Sequence, residues 1–460
     1  MNIYLHIEIS VRELDSKLLL GTLAASKGHQ VIISDLMGIL RGVKSEMLAP
    51  GIFHTKSLTP SKGKIAIHKL LTEKGFGITS LDEEGALNDH GYDTFAKARY
   101  SEDMIGQAQA VFGWGPEDTE SLKKFYPKHS HKIYKTGSPR ADLWGKTFSD
   151  YWNFPSTLPN KPFLLISCNT GYANNVRTFG ELLEMENERG RFKNVPHYLE
   201  TQIGRTYEDF KKIIEYIKAI RYLSTNNNDY QIVLRPHPAE DINAWKIMLQ
   251  DIPNVQVIHD GPINVWIKHA FAVMHNSCTS ALEAIIQNKP LVTYIPYEQN
   301  YNPTLSNELG YQVKTQEELK KTINKIFKSK NSETKIKEHE LLPSVITKKI
   351  FIDDKLSVER IINIWEKTSG RNFSNASNIK KYKVLLNYDR LKNKFKKLIK
   401  KILTIKEVSK NITKGKFETL NKKDISERVK KFQQILKIEE KLECEVLSDK
   451  TILIRRLKKH

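Results

Sequence analysis

Four short apolar runs punctuate the stretch from Gln231 to Pro296, with helical intervals and polar loops between them. The first, Gln231-Ile232-Val233-Leu234, breaks into Arg235-Pro236-His237-Pro238. The second, Val255 to Ile258, leads into His259-Asp260-Gly261. The third, Ala270 to Met274, enters His275-Asn276-Ser277-Cys278-Thr279-Ser280 and the helical Ala281 to Ile286; the fourth is Pro290 to Tyr294. Apolar runs of this length between helices read as strands of a parallel sheet covered on both faces. Ligands of such sheets bind beyond the carboxyl ends of the strands. The His-Pro loop and the Asn-Ser-Cys-Thr-Ser loop both fall there. Hydroxyls and free amides at a helix N-terminus favour an anion such as phosphate. Ser277, Thr279 or Ser280 equally suit plain N-caps, and both readings stay open.

The chain has 460 residues, which predicts two or more domains, and 39% hydrophobic residues suffice for their cores. Residues 1–10 lack a basic region and a long apolar core, so no secretory signal is expected. No uninterrupted apolar stretch reaches membrane-spanning length. Cys168, Cys278 and Cys444 are odd in number and far apart, which points to a reducing, cytoplasmic setting without a zinc site.

Charge is distributed unevenly. Of 73 Lys and Arg and 53 Asp and Glu, residues 331–460 hold 34 and 17, so nearly all of the net +20 lies in the C-terminal third. Such asymmetry predicts an attached basic module and argues against a chain that coats nucleic acid throughout.

The N-terminal part opens as a βαβ unit: strand Ile3 to Ile7, helix Glu13 to Lys27, strand Gln30 to Ser34. It has no glycine-rich dinucleotide fingerprint; His6, Glu8, Arg12 and Glu13 decorate its first loop instead. Gly63-Lys64 and Gly145-Lys146-Thr147 lack the spacing of a phosphate loop. A strand from Gly77 to Leu81 ends in Asp82-Glu83-Glu84-Gly85. Crowded carboxylates raise the pKa of one member and suit it to act as a general base, although a solvated turn is the simpler reading. Strands at Gln109 to Gly113 and Lys132 to Lys135 follow. Thr136 to Asp142 then closes the first domain, and Asp150 to Lys161 reads as a linker. Pro162 to Ser167 starts the second domain and runs into Cys168-Asn169-Thr170-Gly171, another small polar loop beyond a strand. A helix spans about Tyr207 to Ser224, and Gln316 to Lys328 closes the domain.

Two α/β domains with an interdomain cleft are the architecture of GT-B glycosyltransferases. The combination of Glu83-Glu84-Gly85, His237-Pro238 and Ser277 to Ser280 resembles the motif set of bacterial sialyltransferases, and Kdo transferases are organised in a related way. Over most of the first 370 residues the chain also looks like a bacterial surface carbohydrate biosynthesis protein family. Leu5-His6-Ile7-Glu8 through Arg12-Glu13-Leu14, Gly137 to Asp142, and Cys278-Thr279 through Glu283-Ala284 carry that likeness.

The resemblance implies a GT-B-like fold of two Rossmann-like domains: residues 1–150 on the acceptor side, 160–370 on the nucleotide-donor side, and 375–460 a basic, mainly helical extension. It implies that Glu83 deprotonates the acceptor hydroxyl, with Asp82 or Glu84 as alternatives in a turn of three acids. It places His237 by the donor phosphate and Ser277 to Ser280 around that phosphate, with Cys278 interrupting the pattern. Glu283 falls where many such enzymes bind the donor ribose. Asn169, Gly171, Arg235, Pro238, His275 and Asn276 complete the candidate donor site.

The expected activity is transfer from a nucleotide-activated sugar, a CMP-linked nonulosonic acid or Kdo-like sugar, to a glycan or glycolipid acceptor. The product would belong to a surface polysaccharide such as capsule or lipopolysaccharide. Similar His-Pro and serine-loop features occur in CDP-glycerol glycerophosphotransferases, which is the alternative; a non-catalytic basic scaffold binding lipid or RNA is a third. His237 with Arg235 supplies the charge a departing nucleotide needs, so neither a metal nor a cofactor beyond the nucleotide sugar is expected. The Asp353-Asp354 pair reads as a surface turn.

In the C-terminal third Leu391, Phe395, Leu398, Ile399 and Ile402 recur on one helical face. Lys392, Lys394, Lys396, Lys397, Lys400 and Lys401 fill the other positions. Residues 391–402 are therefore expected to dock on an anionic inner-membrane surface, or to pack on the catalytic domains. Phe395 is the only aromatic in that helix, so base stacking is poorly served and no nucleic acid partner is expected. A second amphipathic helix is expected at Ile425 to Ile438 and a terminal hairpin at Glu445 to Arg455.

Overall fold

A computed structural model of the chain describes residues 1–85, 91–153, 155–188, 191–194, 196–225, 227–301, 305–329, 343–368, 376–388 and 420–457. It divides into two compact units, Met1–Leu143 with Thr347–His460, and Trp144–Ile346.

In the first unit β1 (Asn2–His6) and β2 (Gln30–Ser34) flank the helix Ser10–Ser26. Every residue of β1 is buried, as befits a strand covered on both faces. The helix buries Leu14, Leu18 and Leu19. The chain leaves it through Gly28 at φ +90°, a backbone state that favours glycine. β3 (Ile52–Thr55), β4 (Gly77–Leu81), β5 (Ala108–Gly113) and β6 (Ile133–Lys135) continue the sheet. All six strands pair in parallel in the order β2-β1-β3-β4-β5-β6. The order reverses between β1 and β3, so the loops after them part at a topological switch point.

The second unit repeats the scheme. β7 (Phe163–Ser167), β8 (Gln231–Arg235), β9 (Val255–Val257), β10 (Ala272–His275), β11 (Leu291–Tyr294) and β12 (Tyr311–Val313) pair in parallel. Their order is β12-β11-β10-β7-β8-β9, with the switch point between β7 and β10. The helix Tyr198–Ser224 buries Ile213, Tyr216, Ile220 and Leu223 in a core shared with Leu164, Ile166 and Trp245. It begins well before the expected Tyr207. Leu199 and Ile203 in its first turns are exposed, so its apolar pattern there does not track the core. The segment expected as a linker lies in this unit: Lys268 donates to Asp150 at 2.9 Å and Thr157 to Asp260 at 2.8 Å.

The chain then returns to the first unit. The helix Ser357–Thr368 buries Val358, Ile361, Ile362 and Trp365, whose Nε1 donates to Thr79 Oγ1 at 3.1 Å. The expected hairpin is present as β13 (Leu442–Ser448) and β14 (Thr451–Arg456). β14 runs antiparallel along β2, with Leu453 opposite Ile32, and extends the first sheet to eight strands. The helix Lys422–Ile435 packs on the helix Ser10–Ser26. The expected boundaries near residues 150 and 370 therefore move to Leu143/Trp144 and Ile346/Thr347. The apolar faces of 357–368 and of β14 are completed by the first sheet, a pairing that spacing along the chain does not encode. Asp353 and Asp354 are exposed, and Asp353 pairs with Arg360. The basic stripe at 391–402 lies outside the described residues.

Candidate active site

At the second switch point the loops after β7 and β8 are tied by one buried carboxylate that sequence reasoning does not single out. Glu240 accepts from the backbone N–H and hydroxyl of Thr170 at 2.9 and 2.5 Å. It also accepts from the backbone N–H of His237 at 3.1 Å and from Trp245 Nε1 at 2.7 Å. Its place three residues after His237, where a side chain reaches back to a loop N–H, was the available signal. Asn169 spans to the third loop, its Nδ2 donating to the Ser277 carbonyl at 3.0 Å, while Lys212 donates to the Asn169 carbonyl at 2.8 Å. Gly171 accepts from Asn175 Nδ2 at 2.8 Å, and a Cβ there would meet only Ala239 at 3.9 Å, so nothing steric requires glycine.

The serine-rich loop is stitched inward. Ser277 adopts φ +59°, a left-handed state that costs a non-glycine residue on the order of 1 kcal/mol. Two bonds from Asn307 hold it there: Oδ1 accepts the Ser277 N–H at 2.7 Å and Nδ2 donates to its hydroxyl at 2.9 Å. The Ser277 hydroxyl in turn donates to Asn276 Oδ1 at 3.1 Å, and Gln299 donates to the same oxygen at 2.7 Å. Ser280 donates to Ser167 at 2.7 Å, with Cys278 Sγ 3.1 Å from both hydroxyls. Thr279 alone among Ser277 to Ser280 is exposed, and it makes no side-chain cap to the helix Ser280–Ile286. The hydroxyls expected around phosphate are thus largely engaged with neighbouring side chains, Thr279 being the exposed one.

The histidines separate into different kinds. His275 is fully buried, and burial pushes its pKa down to about 3, with Lys212 adding to the effect. Thr293 Oγ1 donates to the Leu309 carbonyl at 2.5 Å and receives His275 Nε2–H at 2.8 Å, an arrangement that fits a core histidine. His237 is an exposed residue whose Nδ1 accepts the Ala239 N–H at 3.2 Å. That bond fixes the neutral tautomer with the proton on Nε2. Protein packed around the ring lowers its pKa, and Glu240 opposes the shift. Pro238 is exposed beside it. Arg235 was expected to offer a free cation there. Its guanidinium instead donates to the carbonyls of Asp260, at 2.7 Å, and Gly261, and burial lowers its pKa to about 10 despite Asp260 and Glu283. Glu283 is half-buried and accepts from Asn264 Nδ2 at 2.8 Å.

In the first unit the acidic turn follows β4, and each carboxylate has found a cation. Arg99 grips Asp82 with two bonds of 2.7 and 2.9 Å. Burial nevertheless raises the Asp82 pKa, Arg99 only partly opposing. Glu83 is 4% exposed and meets Lys17 at 2.7 Å. Burial alone would raise its pKa, but Lys17, Arg140 and Arg12 prevail and hold it below the usual range. Its Oε2 is buried without a hydrogen-bond partner. Glu84 is half-exposed between Arg12 at 3.6 Å and Arg99 at 3.3 Å. The mutual repulsion expected of three adjacent acids is therefore offset by pairing. Lys17, between Leu14 and Leu18 on a buried helix face, was the charged residue out of place that signals it. Gly63-Lys64 lies in the first turn of the helix Lys62–Glu73 and not in a loop. Among the described residues no group of three His, Cys, Asp or Glu side chains is arranged to hold a metal ion.

Two Rossmann-like α/β sheets, the second with polar loops gathered at its switch point, give the chain a GT-B-like α/β fold. No protein-family model and no curated protein matches the chain. Among solved structures it is similar to a Listeria monocytogenes protein provisionally described as a UDP-N-acetylglucosamine 2-epimerase, with 12% identity over 81% of this chain and 97% of that one and a TM-score of 0.49. It is similar to MnaA of S. aureus in a co-structure with UDP, at 13% identity over 82% and 98% and a TM-score of 0.44. A glycosyltransferase from Rickettsia africae ESF-5 aligns at 11% identity over 81% and 99%, with a TM-score of 0.43. At such identities no activity carries across.

Proposed function

We propose that the chain is a glycosyltransferase that takes a nucleotide-activated sugar, CMP-linked, and serves surface polysaccharide assembly. The observation that carries this reading is His237 at the carboxyl end of β8. Its Nδ1 is occupied by Ala239, which leaves Nε2–H as a fixed donor among loops that Glu240 ties together. A neutral N–H donor stabilises charge as it develops on a departing phosphate without prior protonation. Thr279 and the backbone of Gly171 and Pro238 supply further polar contacts for the nucleotide, and Glu283 suits the ribose hydroxyls as an acceptor. Glu83 acts as the base on the acceptor side: Lys17 holds Oε1, and Oε2, buried and without a hydrogen-bond partner, is the oxygen left to take the hydroxyl proton. The chemistry needs no metal, so chelation with EDTA should leave turnover unchanged. The basic stripe at 391–402 would hold the enzyme on anionic lipid near a glycolipid acceptor.

Thermal stabilisation by nucleotides tests the donor class. CMP and CDP should raise the melting temperature more than UDP and GDP at equal concentration. Stabilisation by UDP or GDP alone would overturn the CMP assignment, and none by any nucleotide would overturn the donor site.

A further inference from the structure

The helix Tyr198–Ser224 carries a feature that the nucleotide chemistry does not use. While one face packs in the core of the second unit, the opposite face exposes Leu199 (42%), Ile203 (51%), Tyr207 (59%), Phe210 (54%) and Ile214 (52%). Steps of four, four, three and four residues set them in one line along the helix. At 1.5 Å per residue the row is about 22 Å long. Exposed apolar side chains scattered singly are ordinary, but a continuous row marks a surface that something covers.

The row reads nearly the same in both directions. About a midpoint between Glu208 and Asp209, Ile203 mirrors Ile214 and Tyr207 mirrors Phe210. A two-fold contact needs a patch complementary to itself, and this one is. We propose that two copies of the chain associate through this row, their helices antiparallel. Ile203 then meets Ile214 of the partner subunit, and Tyr207 meets Phe210 of the partner subunit. Leu199 mirrors the exposed Lys218, whose ammonium pairs with Glu215 of its own helix at 2.8 Å and whose apolar stem covers Leu199 of the partner subunit.

A lipid surface fits less well. An interfacial helix wants a polar face rich in Lys and Arg. This helix mixes five cationic with four acidic residues. The row offers roughly 500 Å², more than half of the ~800 Å² per partner of a standard interface.

Sedimentation velocity on the full chain tests the pairing. The wild type should be dimeric at tens of micromolar. Ile203→Glu or Ile214→Lys alone buries an unpaired charge and should weaken association by about tenfold or more. The double variant places Glu against Lys at both symmetric positions and should regain the dimer. All three should melt as the wild type does, because the exchanged side chains are exposed. A monomeric wild type overturns the proposal, as does a dimer indifferent to the single changes or a double variant that fails to recover. Phosphatidylglycerol-vesicle binding that weakens in Ile203→Glu, in place of dimerisation, would assign the row to lipid and overturn it equally.

Discussion

The backbone N–H of Ala239 donates to Nδ1 of His237 at 3.2 Å, and this bond decides which nitrogen of the ring bears the proton. Because the pKa lies below the ordinary value of about 6.5, the ring is neutral at pH 7. A depressed pKa means that the neutral form is fully present above the ordinary value and is lost as pH falls through the folded one. Protonation would place a second N–H against Ala239 and break the loop bond. kcat/KM should therefore be flat near pH 7 and fall on the acid side below 6.5. A pH–rate profile rising steadily from 7 to 5 would contradict a neutral donor.

Lys17 and Glu83 are charged and almost wholly buried, with side chains 2% and 4% exposed. Removing one partner strands the other. Lys17→Met should destabilise the fold by about 3–5 kcal/mol. Glu83 has a folded pKa below its ordinary value, so its stabilising contribution is present above about pH 4.3 and is lost as pH falls through the folded value. Urea unfolding at pH 7 and at acid pH checks both: the gap between wild type and Lys17→Met should narrow in acid.

Glu83→Gln alone would confuse two effects, because it removes a base and leaves Lys17 unpaired. The double variant Lys17→Met/Glu83→Gln resolves them. It should melt closer to the wild type than either single variant, yet lose acceptor turnover while nucleotide binding stays nearly intact. Recovery of turnover together with stability would make Glu83 a structural residue.

Glu240 accepts four hydrogen bonds from Thr170, His237 and Trp245. Glu240→Ala leaves those donors unpaired and frees two loops at once, so both stability and nucleotide affinity should fall, the latter by about tenfold or more. Calorimetric titration with CMP at a temperature where the variant is folded provides the measurement. Unchanged affinity would separate Glu240 from the donor site.

Much of the fold was legible because its strands are short apolar runs whose ends are marked by Gly, Pro or acidic turns. β2 and β4 fall where those signals put them, and the hairpin at the C-terminus announced itself by alternation. Partnerships across the sequence were not legible. Nothing local tells that β14 will edge β2 or that Trp365 will reach Thr79. The site divides in the same way. His237 and the acidic turn stood out as chemistry at strand ends. Glu240, Asn307 and Lys17 matter through what they hold, and only three-dimensional placement reveals it. His275 looked like a donor ligand because of its loop, but its side chain belongs to the strand and turns into the core.

The role of His237 in donor departure is tested most directly by release of CMP from a CMP-linked sugar, followed in the wild type and in His237→Ala. The charge on the departing phosphate grows as the glycosidic bond breaks, so loss of the Nε2–H donor should act on the transition state more than on the bound substrate. Turnover should fall by about a hundredfold or more with the melting temperature unchanged, since an exposed side chain makes few core contacts. Near-normal turnover in a protein that melts many degrees lower would contradict the account and return His237 to the fold.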